Sequence, residues 1–130
     1  MSVKILIPVS VGELFDKFTI LSIKLIKITD PTKKKILKTE FNLLEDRIEE
    51  LVTGTIDKVI FYKRLIDVNV KIWDIENEIR ELEAKKDFGV RFIELARQVY
   101  KTNDERSKIK ADVNKFYGSE ISEVKQYSKY

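Results

Sequence analysis

The chain contains no cysteine and no histidine. Their absence excludes disulfides, zinc sites built on thiolate or imidazole, cysteine nucleophiles and every histidine-based triad. Any catalysis must rest on carboxylates, lysine, arginine, tyrosine or a carboxylate-bound metal. Glycine and proline are scarce, at four and two residues, which favours long helices over a turn-rich sandwich or a flexible chain. A Gly-rich phosphate loop is missing. So is any apolar run long enough to span a bilayer, and no transmembrane segment is expected. The opening run Ile5-Leu6-Ile7-Pro8-Val9 is too short for a signal peptide, so the expectation is a cytoplasmic protein.

Charge of one sign is also lacking. Lys plus Arg number 25 against 22 acids, a net +3. Nucleic-acid binders show a clustered basic face, so this balance carries no strong nucleic-acid signal. One basic run does occur, with Lys24, Lys27, Lys33, Lys34, Lys35 and Lys38 against Asp30. It reads first as a solubilising rim balanced by the acids of residues 40–50. A contact to phosphate, a membrane surface or an acidic partner is the alternative. The run has no interleaved aromatics, which argues against single-stranded nucleic acid.

Apolar residues at helical spacing are abundant. With 130 residues, the chain suits one helical domain spanning 1–130. Its organising stretch is Phe61, Leu65, Val68, Ile72, Ile75, Ile79 and Leu82, an apolar seam at alternating steps of three and four. Ile66, Val70 and Trp73 lie off that coiled-coil-like seam. Around it, Val3 to Val9 predicts a short strand or extended arm, paired with the tail after Gly118 or with the arm of a second copy. Ser10-Val11-Gly12-Glu13 is a capping box. The helix after it, to about Ile28, has a main seam of Val11, Leu14, Phe18, Leu21, Leu25 and Ile28. Its far side carries Ile20, Ile23 and Ile26. Such a helix is either central in the monomer or sealed by a dimer partner.

Asp30-Pro31 starts a second helix. Leu37, Phe41, Leu44, Ile48 and Leu51 form its seam, and Gly54 is expected to end it in a left-handed conformation. Thr55 or Asp57 would cap a third helix reaching about Lys86, roughly 45 Å long. Asp87-Phe88-Gly89 supplies a turn. A fourth helix follows from Gly89 or Val90 to Gly118, and the tail from Ser119 to Tyr130 reads as extended. The predicted fold is all-α, an antiparallel four-helix bundle with a long helical hairpin and an N-terminal strand or arm.

The fourth helix holds an anomaly. Phe92, Ala96 and Val99 begin a seam that continues as Asn103, Arg106 and Lys110 before Val113 and Tyr117 resume it. Buried polar groups cost about 1–3 kcal/mol each without partners, and an arginine needs a carboxylate or anion because it keeps its charge. Folding the hairpin about residue 88 brings Asn69, Trp73 and Glu76 towards Tyr100, Asn103 and Arg106. These six are the candidate ligand-binding residues, with Arg97 and Asp104 at the rim. They form either a polar network that sets helix register, with a possible break at Thr102, or a pocket walled by Trp73 and Tyr100. Paired acidic motifs for magnesium are incomplete: Glu78 and Glu81 supply one half, but Arg97 stands where the partner acid beside Glu94 is needed. No metal and no cofactor are expected.

Three motif groups carry a resemblance. The first is Val11-Gly12-Glu13-Leu14 with Asp16-Lys17 and Thr19-Ile20-Leu21. The second is Val68-Asn69 with Ile72-Trp73-Asp74-Ile75-Glu76 and Ile79-Arg80. The third is Phe92 to Arg97, Val99-Tyr100, Thr102-Asn103-Asp104, Arg106 and Ile109-Lys110. Gly118-Ser119 and Glu123-Val124-Lys125 close the set. Together they resemble a family of small bacterial and viral helical proteins of unknown function, sometimes associated with surface-polysaccharide genes. The likeness is thin only over residues 30–56 and brings no catalytic residue with it. The expected function is a dimeric helical interaction or scaffolding protein, with a glycan-assembly enzyme as the suggested protein partner. The alternative is an enzyme or binder that takes an anionic sugar phosphate or nucleotide between its helices.

Overall fold

Ser10 accepts the Glu13 amide on its Oγ at 3.0 Å and so opens the first helix, α1 (Val11–Lys27). Asp30 opens the second, α2 (Pro31–Leu51), by accepting the amides of Thr32 and Lys33, and Pro31 fills the first turn. The third and fourth are α3 (Thr55–Ala84) and α4 (Val90–Tyr117). The computed structural model describes residues 2–52 and 54–130. Among these, all regular structure is helical, and the packing of the four helices is that of a bundle.

Several local expectations need correction. No strand forms among the described residues; Val3 to Val9 is exposed and irregular, and the tail after Gly118 is irregular too. Gly54 is not left-handed. Val52 leaves α2 in extended conformation with its side chain in the core, and Gly54, at φ −96° and ψ 138°, becomes the N-cap of α3. Neither Thr55 nor Asp57 supplies a side-chain cap; Asp57 lies in the first turn, where its charge suits the helix dipole. Gly118 is the left-handed terminator, at φ 65° after α4. The turn between α3 and α4 bends at Lys86, with φ 56°, and Asp87 holds the Gly89 amide at 3.1 Å.

Helix α1 is the centre of the chain. It lies against α2, α3 and α4, while among the described residues the α2 backbone comes close to that of no helix but α1; an ion pair between Lys58 and Glu49 links α2 to α3. The two apolar sides of α1 are thus both used within one chain, although Ile26 stays exposed. The core joins Leu14, Phe15, Ile48, Val52, Phe61, Leu65, Val68, Ile109 and Val113. Phe15, absent from the expected seam, is completely buried, with Tyr62 and Tyr117 rings 5.1 and 5.3 Å away. Phe18 packs at the side, stacked on Phe41 at 4.7 Å. Leu51, expected in the seam of α2, is exposed.

Helix α4 runs through Thr102 without a break. Its buried positions are Leu95, Thr102, Ile109, Lys110, Val113 and Asn114, with Val99 and Arg106 partly covered between them. Ala96 and Asn103 are exposed. The buried position falls one residue before the expected one at Ala96 and Asn103, whereas Lys110 is buried as expected. Between α3 and α4, Arg91 pairs with Glu78, Lys71 with Glu105 at 3.8 Å, and Arg64 with Asp112 at 2.7 Å. These three pairs join α3 to α4 at successive points along both helices.

Lengths differ in a way that shapes the surface. At 1.5 Å per residue, α1 is about 25 Å long, and α3 and α4 are about 45 and 42 Å. The last turns of α1 share a cleft with Ile72 and Trp73 of α3.

Candidate functional site

An arginine facing the bundle needs a carboxylate, and Arg106 finds it on α1. Its Nη2 lies 3.1 Å from Asp16 Oδ2. Asp16 is 1% exposed and its other oxygen accepts the Asn69 amide at 2.9 Å. Asn69 also donates to Thr19 Oγ1 at 3.1 Å, and Thr19 donates to the Asp16 carbonyl at 2.8 Å. Three helices thus share one network buried at their meeting point. A lone carboxylate there would face a heavy desolvation cost; two donors from two other helices offset it.

Sequence reasoning placed Asn69 and Arg106 together but missed Asp16 and Thr19. The signal was available. Gly12, Asp16, Thr19 and Ile23 recur at steps of four, three and four on one side of α1. A leucine-rich side lies next to it and carries the stronger apolar signal.

A cleft of about 370 Å³ opens beside this network. Asn69, Trp73, Glu76 and Arg106 line it, joined by Lys24 and Arg80. Ile20, Ile23 and Ile72 supply apolar wall. Glu76 accepts from Arg80 Nε and Nη2 at 3.3 and 3.2 Å. Tyr100 and Asn103 are not among the lining residues. Tyr100 is exposed and set edge-on to Tyr130 at 5.2 Å, and Asn103 is exposed on α4. At the rim positions, Asp104 accepts the Tyr130 hydroxyl at 2.6 Å and Arg97 is exposed. Glu78 is bound to Arg91 on the outer surface, and the guanidinium holds its carboxyl below the usual range.

A second polar junction joins the start of α1 to the end of α4. Gly12 donates its amide to Asn114 Oδ1 at 2.6 Å, and Val11 donates to Ser119 Oγ at 3.1 Å. A Cβ on Gly12 would stand 2.5 Å from the Lys110 carbonyl oxygen, so only glycine permits this helix approach. Lys110 is buried, and its Nζ donates to Glu13 at 2.6 Å and to Glu123 at 3.1 Å. Burial opposes its charge, but the bonds to Glu13 and Glu123 outweigh burial and raise the ammonium above its ordinary value. The Lys110 hydrogen bond in turn holds the Glu123 carboxyl below its usual range. Lys125 on Ser107 at 2.8 Å and Tyr130 on Asp104 continue the contacts, so the irregular tail lies back along α4.

Among the described residues, no group of three or more acidic side chains is placed to hold a metal ion, and no helix is long and apolar enough to cross a membrane. Comparison with models of protein families, with curated proteins and with solved structures returns no match.

Proposed function

We propose that this chain is a cytoplasmic helical interaction protein that works as a homodimer, the second copy covering the corner between α2 and α3. The carrying observation is surface in excess. A monomer of 15.3 kDa is expected to expose about 7,100 Å²; this chain exposes 9640 Å². The surplus of roughly 2,500 Å² is on the scale that each partner buries in a large obligate interface. The arm and the tail account for part of it. On the helices, Leu51 at the end of α2 and Ile56, Val59 and Ile60 at the start of α3 expose apolar side chains.

The polar junctions support contact over chemistry. Asp16, Asn69, Lys110 and Asn114 are all partnered within the chain, which is how a network that sets helix register is built. The frame of this reading is an antiparallel bundle with a free N-terminal arm; the ion pairs flanking the hairpin turn support the first part. Val3, Ile5, Leu6, Ile7 and Val9 are all exposed, and a second copy gives them a surface to cover.

Size-exclusion chromatography with light scattering tests the proposal. The expected mass is twice 15.3 kDa. A single-chain mass that persists as concentration rises would reject it.

A further inference from the structure

The cleft at the end of α1 is independent of the α2–α3 corner and has a different chemistry. We infer that it is a binding site for a small organic phosphate, with the phosphate held by Lys24, Arg80 and Arg106 and a ring packed against Trp73.

The cleft exists because α1 ends before the hairpin does. Where three helices become two, a step is left whose wall is Ile20, Ile23 and Ile72 and whose edge is Trp73. Three cations reach this step from three helices: Lys24 from the last turn of α1, Arg80 from α3 and Arg106 from α4. Two carboxylates oppose them, Glu76 beside Arg80 and Asp16 behind Arg106. One positive charge is left over, and a phosphate anion matches it.

Donor geometry points the same way. A guanidinium has five N–H donors. Asp16 lies against one nitrogen of Arg106, and the Arg106 side chain is still 27% exposed. Glu76 engages Arg80 through one carboxylate oxygen. Both arginines therefore keep donors for phosphate oxygens, which they recognise as planar forks. Asp16 holds Arg106 in place before any ligand arrives, so little side-chain freedom is lost on binding. The volume, about 370 Å³, falls in the range of small-ligand pockets. The indole face and the isoleucines suit a sugar or base ring and offer nothing to a bare inorganic anion.

Trp73 is the only tryptophan in the chain, so its fluorescence reports this cleft alone. The test titrates UMP, glucose 1-phosphate and inorganic phosphate separately into the full chain while Trp73 emission is followed. A saturable change with UMP or with glucose 1-phosphate is expected, and whichever binds assigns the ring. Inorganic phosphate should bind at least tenfold more weakly. The double variant K24A/R80A removes the two cations that do not hold the network; it should keep the parent melting temperature and weaken binding at least tenfold. Silence with both organic phosphates overturns the site. So does binding that the double variant leaves unchanged, or binding of inorganic phosphate as tight as that of the organic probes. None of these outcomes depends on whether the chain is a dimer.

Discussion

Arg106 on the last helix stands 3.1 Å from Asp16 on the first, and Asn69 of the third helix holds the other oxygen of the same carboxylate. One buried acid thereby ties together three helices. Removing it leaves a partly buried guanidinium without its counter-charge, a loss that costs about 3–5 kcal/mol in comparable buried pairs. Asp16→Leu is expected to lower urea-unfolding stability by that order. Arg106→Met made in the Asp16→Leu background should recover much of it, because apolar side chains of similar size can replace such a pair. Additive losses in this cycle would mean the two side chains are not coupled.

Gly12→Ala sets two effects against each other. Alanine gains about 1 kcal/mol of helix propensity over glycine. Its Cβ, however, would meet the Lys110 carbonyl at 2.5 Å, and the Asn114 side chain at 2.9 Å. Backbone cannot yield as a flexible side chain does, and overpacking costs typically 1–3 kcal/mol. A net fall in melting temperature is expected. A rise would show that α1 and α4 separate freely at this point.

The tail contact has a pH dependence with a defined sign. The Glu123 carboxyl is held low by Lys110, so its contribution is complete above the unfolded value of about 4.3 and is lost as pH falls through the lower folded value. Lys110 is raised, so its contribution is complete below the unfolded lysine value of about 10.4 and is lost only as pH climbs through the higher folded value. The acid-side loss therefore belongs to the carboxylate. Urea melts at about pH 6 and about pH 3, spanning that carboxylate window, should show a larger drop for the parent chain than for Glu123→Gln. Equal drops would dissociate Glu123 from the effect.

The α2–α3 corner can be tested without touching the core. Ile56 and Ile60 are exposed near the start of α3, where an added acid also suits the helix dipole. The variant I56D/I60D is expected to keep its helical circular dichroism and to fall to 15.3 kDa by light scattering. A mass that stays doubled would move the interface elsewhere.

The register of α4 separates two neighbouring series. Leu95 is 1% exposed, and Leu95→Ala should cost about 2–5 kcal/mol. Asn103 is exposed, and Asn103→Ala should stay within about 0.5 kcal/mol of the parent. Chemical denaturation of both variants distinguishes the buried line from the one on its flank.

Local chemistry was readable without coordinates. Ser10 and Asp30 cap because an oxygen two or three residues before free amides satisfies them wherever the rest of the chain goes. Gly118 ends α4 because only a short-range conformational cost is involved. The same holds for the long third helix, whose seam of Phe61, Leu65, Val68 and Ile75 is buried. Gly54 misled because the same residue type serves at either end of a helix. There the core position of Val52 decided the matter, and that is not a local quantity.

Tertiary packing alone decided which polar groups were buried and paired. In α4, positions 95 and 102 compete with 96 and 103 on the two flanks of Val99 and Arg106, and spacing does not choose between them; further along, Ile109 and Lys110 are both buried. The choice came from what lay opposite: Asp16 drew Arg106 inward, and the close approach at Gly12 brought Lys110 and Asn114 under α1. Periodicity is a property of one helix and was present in the amino-acid order. The pairing of a buried charge with its counter-charge is a property of three helices, and it exists only where they meet.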